Sequence, residues 1–512
     1  MKKLRILFIL LIAFGFSNSF SPEPKEITAK FFPEVTLEIN TPAFQKKNGY
    51  TTYKELIGFL NHLESKHGDV MSIRYIGESQ KGQAIPLVTL NNKSTEPKVK
   101  VWLQGGLHGD EMASTEGVLY MLDKLLNDEK YSYLLQRLEI GIVPMANIDG
   151  YEKQDRYAAN GLDLNRDQTK LMIKESISLK QAFSDFEAEV AVDFHEYRPY
   201  RRDYTQMSTL GITSRFDAMF MYSGNLNVPK IVREYTHSKF VRNAETVLGN
   251  NNIAYRDYVS THKVYGDIHF NQGSNNARSS ATSYALANTI SSLIEIRGVG
   301  IGRTSFKRRI NSTFLIGMSY MKTAYDNVQE VKTVLAEGAK IKTKAVVTSK
   351  KNVSKQPLIV IDIETCKELE LDVTIHNASK SRATLSRKRA TAYILTKDQV
   401  ALVKKLEVLG LKISQLTTEK IIEVETYTVI EYYRHLEKYE GTNVQEVKTA
   451  VKTENITIPV GSYVLNMNQD NSNLAIEVLE PEAPNSFVYF GVLKTKKNEK
   501  LPIYRYLKSD KI

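Results

Sequence analysis

The stretch Gly105-Gly106-Leu107-His108-Gly109-Asp110-Glu111 restricts the fold more than any other part of the chain. It follows an extended apolar segment, Val99 to Leu103, and precedes an apolar-periodic run from Met112 to Leu126. That order predicts a strand, a tight glycine-rich turn and a helix. His108 and Glu111 are three apart, so a turn or a helix start puts both on one side. An imidazole converging with a carboxylate suits a borderline metal such as zinc. The same residues also read as a glutamate satisfying a helix N-terminus beside an ordinary turn histidine. Other segments have to decide between the two.

Several of them end in the same way. Leu138 to Ala146 reads as a buried strand running into the turn Asn147-Ile148-Asp149-Gly150. Glu189 to Glu196 reads as a strand with His195 near its C-terminal end, and Ser291 to Gly298 as another that carries Glu295. Helical spacing marks residues 53–63, a stretch around 170–186, and 308–334. Residues 71–76 and 84–90 are strand-like, and 198–281 is looser, with clusters of Tyr, Asn and Ser that suit substrate-facing loops. Apolar strands alternating with helices imply an α/β fold, a mixed central sheet flanked by helices. Sites in such sheets form beyond the C-terminal ends of strands. His108, Asp149, His195 and Glu295 all lie within or just after such ends.

Zinc catalysis uses about three protein ligands and an open position for water. His108, Glu111 and His195 supply two imidazoles and one carboxylate. Glu295 interrupts an apolar strand, where an unpaired charge is costly, and it is the choice for general acid/base. Its other reading is an ion pair with Arg297, two residues on along the same strand face. Asp163 is suited to orient a ligand histidine through its free ring nitrogen, and Asp193, on the strand face of His195, to do likewise. Arg156, Asn165 and Arg166 suggest an anion clamp, because guanidinium groups grip carboxylates through paired hydrogen bonds. Such a clamp points to a substrate with a free carboxylate.

Taken in order, His108-Gly109-Asp110-Glu111, Asp163-Leu164-Asn165-Arg166, Asp193-Phe194-His195 and Ile294-Glu295-Ile296-Arg297-Gly298 resemble the motifs of the M14 zinc metallocarboxypeptidases. The resemblance covers residues 48–335. It implies a zinc carboxypeptidase-like fold and one Zn2+ per chain on His108, Glu111 and His195, with Glu295 as general acid/base. It also implies that Arg156 polarises the scissile carbonyl and stabilises its oxyanion, while Asn165 and Arg166 hold the terminal carboxylate of a peptide substrate. The family's mobile-loop tyrosine has three candidates, Tyr258, Tyr265 and Tyr284, with Arg278 as an alternative substrate contact. Two rival functions are a zinc-dependent N-acyl amino acid deacylase and a noncatalytic envelope-binding protein with a vestigial metal site.

The ends of the chain bound its setting. Lys2, Lys3 and Arg5 precede an apolar run from Ile6 to Phe16, then Ser17, Asn18 and Ser19. This is the pattern of a secretory signal peptide, residues 1–20, too short to span a bilayer comfortably. It predicts an exported protein, periplasmic or extracellular, with no transmembrane segment in the mature chain. The one cysteine, Cys366, cannot form an internal disulfide or a cysteine-based zinc site, so a metal must use His and carboxylates. Cys366 itself reads as buried and inert. A composition of 42% hydrophobic and 25% charged residues excludes wholesale disorder. Loss of the three basic residues at the start lowers the formal charge from +11 to +8, and the excess is scattered, with no nucleic-acid motif.

After the signal, 21–47 reads as a loose N-terminal extension, 48–335 as the catalytic domain and 336–357 as a lysine-rich linker. Residues 358–512 read as a smaller β-rich α+β domain, with strands at 358–363, 371–375, 392–395, 462–467 and 487–493 and a helix at 399–409. Packing support is its first reading, and capping of the cleft or binding of a partner its second. His376 and His435 read as structural or exposed.

Overall fold

The computed structural model describes residues 24–342, 344–510 and 512, and the expected signal peptide, 1–20, lies outside them. The apolar runs form a mixed sheet of eight strands: β1 (Met71–Glu78), β2 (Ala84–Leu90), β3 (Val99–Gln104), β4 (Leu138–Val143), β5 (Val190–Tyr197), β7 (Ala218–Tyr222), β8 (Tyr255–Asp257) and β11 (Ile290–Arg297). Their order is β1-β2-β4-β3-β5-β11-β7-β8. The central strands β4, β3, β5 and β11 are mutually parallel. Every residue of β5 is buried, so Val190 to Val192 run apolar without alternation and Asp193, His195 and Glu196 are polar residues held inside. Helices Met112–Asn127, Lys174–Phe186, Ser280–Leu286 and Phe306–Asp326 pack on this sheet and on one another. Trp102 on β3 meets Phe183 edge-on at 5.7 Å, locking one helix to the sheet through a large buried ring pair.

The second half departs from the expected outline. Residues 336–357 are not a linker: they end the helix Val328–Lys340 and open the long strand β12 (Ala345–Asp362). β12 pairs with β13 (Lys367–Arg387), and this hairpin joins β6 (Ile212–Ser214), β10 (Asp267–Gln272) and β9 (Val259–Val264) in the order β6-β12-β13-β10-β9. Lysines on the solvent side of a two-stranded ribbon imitate a linker composition, and only the partner strand gives them away. A third sheet, β15-β18-β14-β19-β16-β17, is built from β14 (Ala392–Leu395), β15 (Ser414–Gln415), β16 (Lys420–Arg434), β17 (Gln445–Ile458), β18 (Tyr463–Asn466) and β19 (Lys500–Tyr506).

Three further readings fail. Residues 487–493 form buried turns, with Leu493 N–H donating to Phe487 O at 2.8 Å, because a short apolar run can serve a core without a ladder. The segment from 24 onward is packed rather than loose: Ile27 and Phe32 bury against Ile361, and Phe44 stacks on Phe306 at 5.4 Å. Cys366, expected buried, is partly exposed at the β12–β13 turn. A single apolar cluster runs from Ile39 to Ile503, so the last third shares the core of the first two.

Candidate metal centre

The glycine turn after β3 is demanded by space. Gly106 has φ +66°, and a Cβ on Gly109 would overlap the backbone of Gly150 and Tyr151. The turn delivers Glu111 to the start of helix Met112–Asn127, yet its side chain makes no cap bond there. The Ala113 N–H is taken by Glu196 Oε2 at 2.9 Å instead. Glu111 points inward, with Oε1 2.7 Å from His108 Nδ1 and Oε2 2.8 Å from His195 Nδ1. The helix-cap reading of Glu111 therefore falls.

The two Nδ1 atoms lie 2.9 Å apart, and all three side chains are buried. Each imidazole is held from behind: His108 Nε2 is 3.1 Å from Asp163 Oδ1, and His195 Nε2 is 2.8 Å from Asp193 Oδ2. A proton on each Nε2 satisfies those carboxylates and leaves the Nδ1 lone pairs facing one point shared with Glu111. Lone pairs so close need a positive charge between them. Burial disfavours a charged His195, but Asp193 and Glu111 overcome it and hold its pKa well above the ordinary range. Glu111 resists burial in turn, drawn well below the usual carboxylate range by His108 and His195. A divalent cation at the point the three side chains share would supply that charge. Two imidazoles, a carboxylate and acid-backed ring nitrogens fit zinc.

The other predicted residues fall around this point. Glu295 sits directly across from His195 in the β5–β11 register. Burial first and Glu111 second push its pKa up to about 7, against the pull of the histidines and Arg156. Arg156 donates from Nε and Nη2 to Asp163 Oδ2 at 3.1 and 2.9 Å, and its Nη1 lies 3.4 Å from Glu111 Oε1. Asp163 therefore braces a histidine and an arginine together, and its Oδ1 also caps the turn Leu164–Arg166 through Asn165 N–H at 2.8 Å. Asn165 Oδ1 accepts from Ser280 N–H at 2.8 Å. His108, Arg156, Asn165, Arg166 and Glu295 all line one cleft of about 710 Å³.

Some expectations lie elsewhere. Asp149 is not in the cleft; its oxygens hold the 79–83 turn, accepting from Ser79 Oγ at 2.8 Å and Lys81 N–H at 3.0 Å. Of the three tyrosine candidates only Tyr258 lines the cleft; Tyr265 is fully exposed, and Tyr284 is buried, stacked on Phe183 at 3.9 Å. Arg278 is spent on Glu440 and Asn485 of the last third of the chain. Arg297 lies over the Phe32 ring at 3.9 Å. Sequence reasoning missed Arg198, Arg201, Lys351 and Tyr439 as cleft residues. The two arginines sit in a loop directly after β5, which was a usable signal. Lys351 and Tyr439 arrive from distant segments and left none.

The family model described as zinc carboxypeptidase, Peptidase M14, matches residues 56–301, the span that contains His108, Glu111, His195 and Glu295. Residues 56–301 are an M14 zinc carboxypeptidase domain. The proteins named carboxypeptidase 2 from Trichophyton equinum and Trichophyton rubrum are each 26% identical to this chain, over 96% of it and 96% of their own length. The likeness to these carboxypeptidases is thus not confined to residues 56–301. Among solved structures, thrombin activatable fibrinolysis inhibitor is 14% identical with a TM-score of 0.43, covering 59% of this chain and 80% of its own. A metallo-carboxypeptidase from Burkholderia cenocepacia is 15% identical with a TM-score of 0.42, covering 55% and 70%. The chain is a zinc metallopeptidase, a hydrolase by class.

Proposed function

We propose that this M14 enzyme is an exported metallocarboxypeptidase that removes the last residue of a peptide with a free C-terminus. The observation that carries the reading is a single cleft lined by His108 of the buried His108–Glu111–His195 set, by the carboxyl of Glu295 and by a cluster of guanidinium groups. One catalytic zinc on that ligand set supplies Lewis acidity, lowering the pKa of a water and polarising a carbonyl. Glu295, raised toward neutrality by its surroundings, accepts the proton of the attacking water and hands it to the departing amine. Arg156, held in place by Asp163, offers its remaining N–H groups to the developing oxyanion. Asn165 and Arg166 bind the substrate's terminal carboxylate, with the free N–H groups of Arg166 supplying charge-assisted bonds.

The organisation we assign puts catalysis in residues 48–335, with the last third lending Tyr439 and Lys351 to the cleft wall. Export rests on the basic and apolar pattern of residues 1–20. Among the described residues no helix is long and apolar enough to cross a membrane. The name of the Trichophyton relatives supports peptide C-termini as the substrate class.

The test is mass spectrometry of a peptide library, each member present with free and amidated ends, incubated with zinc-loaded enzyme. Loss of single residues from free ends alone is the expected result. Cleavage confined to acylated amino acids would instead identify a deacylase, and binding without turnover a noncatalytic protein.

A further inference from the structure

We infer that His262, His269 and His376 form a second metal site, for a zinc-class divalent cation, in the wall of the cleft and independent of the catalytic ligand set. The site is a product of strand alternation. β9 and β10 form an antiparallel hairpin, and β13 adds to β10 in parallel. Val259, Phe270, Val373 and Ile375 bury one face of these three strands in an apolar cluster. Side chains one residue on turn to the other face. That face receives Ser260, His262, His269, Asn271 and His376. His262 pairs directly with His269, and His376 stands opposite Asn271, two residues along from His269.

Register therefore brings together three imidazoles from three strands. His269 Nδ1 lies 2.9 Å from His376 Nε2, and the His262 ring centroid is 4.8 Å from that of His376. One ligand atom from each lies within 4.8 Å of the others, and the rings are half-buried, so small rotations reach a common ion from the solvent side. Asn271 Nδ2 donates to His262 Nδ1 at 3.0 Å, a bond that metal binding at that nitrogen would replace. An all-imidazole set selects zinc, copper or nickel over magnesium and calcium.

This site differs from the catalytic one in charge. No carboxylate belongs to the cluster, and the Lys351 ammonium, bonded to Asn271 Oδ1 at 2.9 Å, stands beside it. Its ion is held less tightly than one among Glu111, Asp163 and Asp193, and a chelator strips it first. The ion would cross-link the 259–272 hairpin, whose Ser260 and Asn271 line the cleft, to a strand more than a hundred residues later. It is a brace for the substrate-facing wall.

The test is zinc stoichiometry by equilibrium dialysis on the full chain, stripped with chelator and refilled with zinc alone, with thermal unfolding as a second readout. Wild type should bind two equivalents, and His376→Asn and His262→Asn one each. His195→Ala should also bind one, still raising its Tm with zinc, and the His195→Ala, His376→Asn double variant none. Turnover is not read, so a failure of the peptidase assignment leaves the result intact. One equivalent in wild type and none in His195→Ala would overturn the second site, as would a second equivalent that survives both His262→Asn and His376→Asn.

Discussion

Glu295 and His195 are direct cross-strand partners in the parallel pair β11–β5, each at the end where the glycine turn after β3 also arrives. Sheet register, not loop placement, therefore sets the distance between the proton carrier and the metal ligands. A carboxyl fixed in a strand cannot wander to solvent, so its burial and its neighbours act on it permanently.

Glu295→Gln keeps the shape of that position and removes the proton carrier. Turnover should fall by roughly 10²–10⁴-fold while zinc content at the His108, Glu111 and His195 site is retained. Single-turnover kinetics alongside metal analysis check this, and a near-normal rate removes Glu295 from the chemistry.

The pH dependence follows from the same residue. Its pKa is pushed up to about 7 in the metal-free chain, and a dication nearby favours the ionised form and draws it lower. A base must be ionised, so kcat/KM should decline as pH drops through that pKa, with the midpoint below 7. An acidic limb centred at or above neutrality in the zinc enzyme contradicts the assignment.

Arg166→Ala should weaken substrates with a free terminal carboxylate through KM. Losing a charge-assisted hydrogen bond costs about 1.5–3 kcal/mol, or roughly 10–100-fold. Amidated analogues, already poor, should change little. Equal losses on both would show that Arg166 does not hold the carboxylate.

Lys180 offers a stability test away from the site. Its ammonium is buried, with Ser283 Oγ at 2.9 Å and the Phe183 and Tyr284 rings at 4.9 and 5.1 Å, and burial lowers its pKa to about 7. Between that value and the ordinary lysine pKa the unfolded chain binds the extra proton, so stability rises with pH. The penalty is complete below about 7 and fades toward 10.5. Lys180→Met should raise Tm, and by more at pH 6 than at pH 9. Destabilisation at both pH values would mean the ring contacts outweigh the burial cost.

The residues that gather at the candidate site were legible because each sits beside its own local signal. His108 and Glu111 share one turn, Asp193 and His195 alternate on one strand, and Glu295 breaks an apolar run. Asp163 stands out only as part of a short motif, yet its contacts to His108 and Arg156 follow from that motif's place next to the turn. His376 read as structural or exposed because nothing near it in the sequence is a ligand; its neighbours come from register between β13 and β10. The same blindness made a linker of β12, whose lysines look unconstrained until β13 is laid against them. Periodicity reports which face a residue takes, not which strand lies beside it.

The β12–β13 hairpin has a consequence for how the chain can be divided. It supplies the parallel neighbour of β10, while Glu440, from the loop after β16, answers both Arg278 and Lys170 of the catalytic half. A cut in 336–357 would not liberate a small working peptidase; it would strip a sheet of its edge partner and leave two buried cations unanswered. Nicking and truncation should therefore inactivate by unravelling, and the polypeptide travels through folding, proteolysis and descent as an indivisible piece.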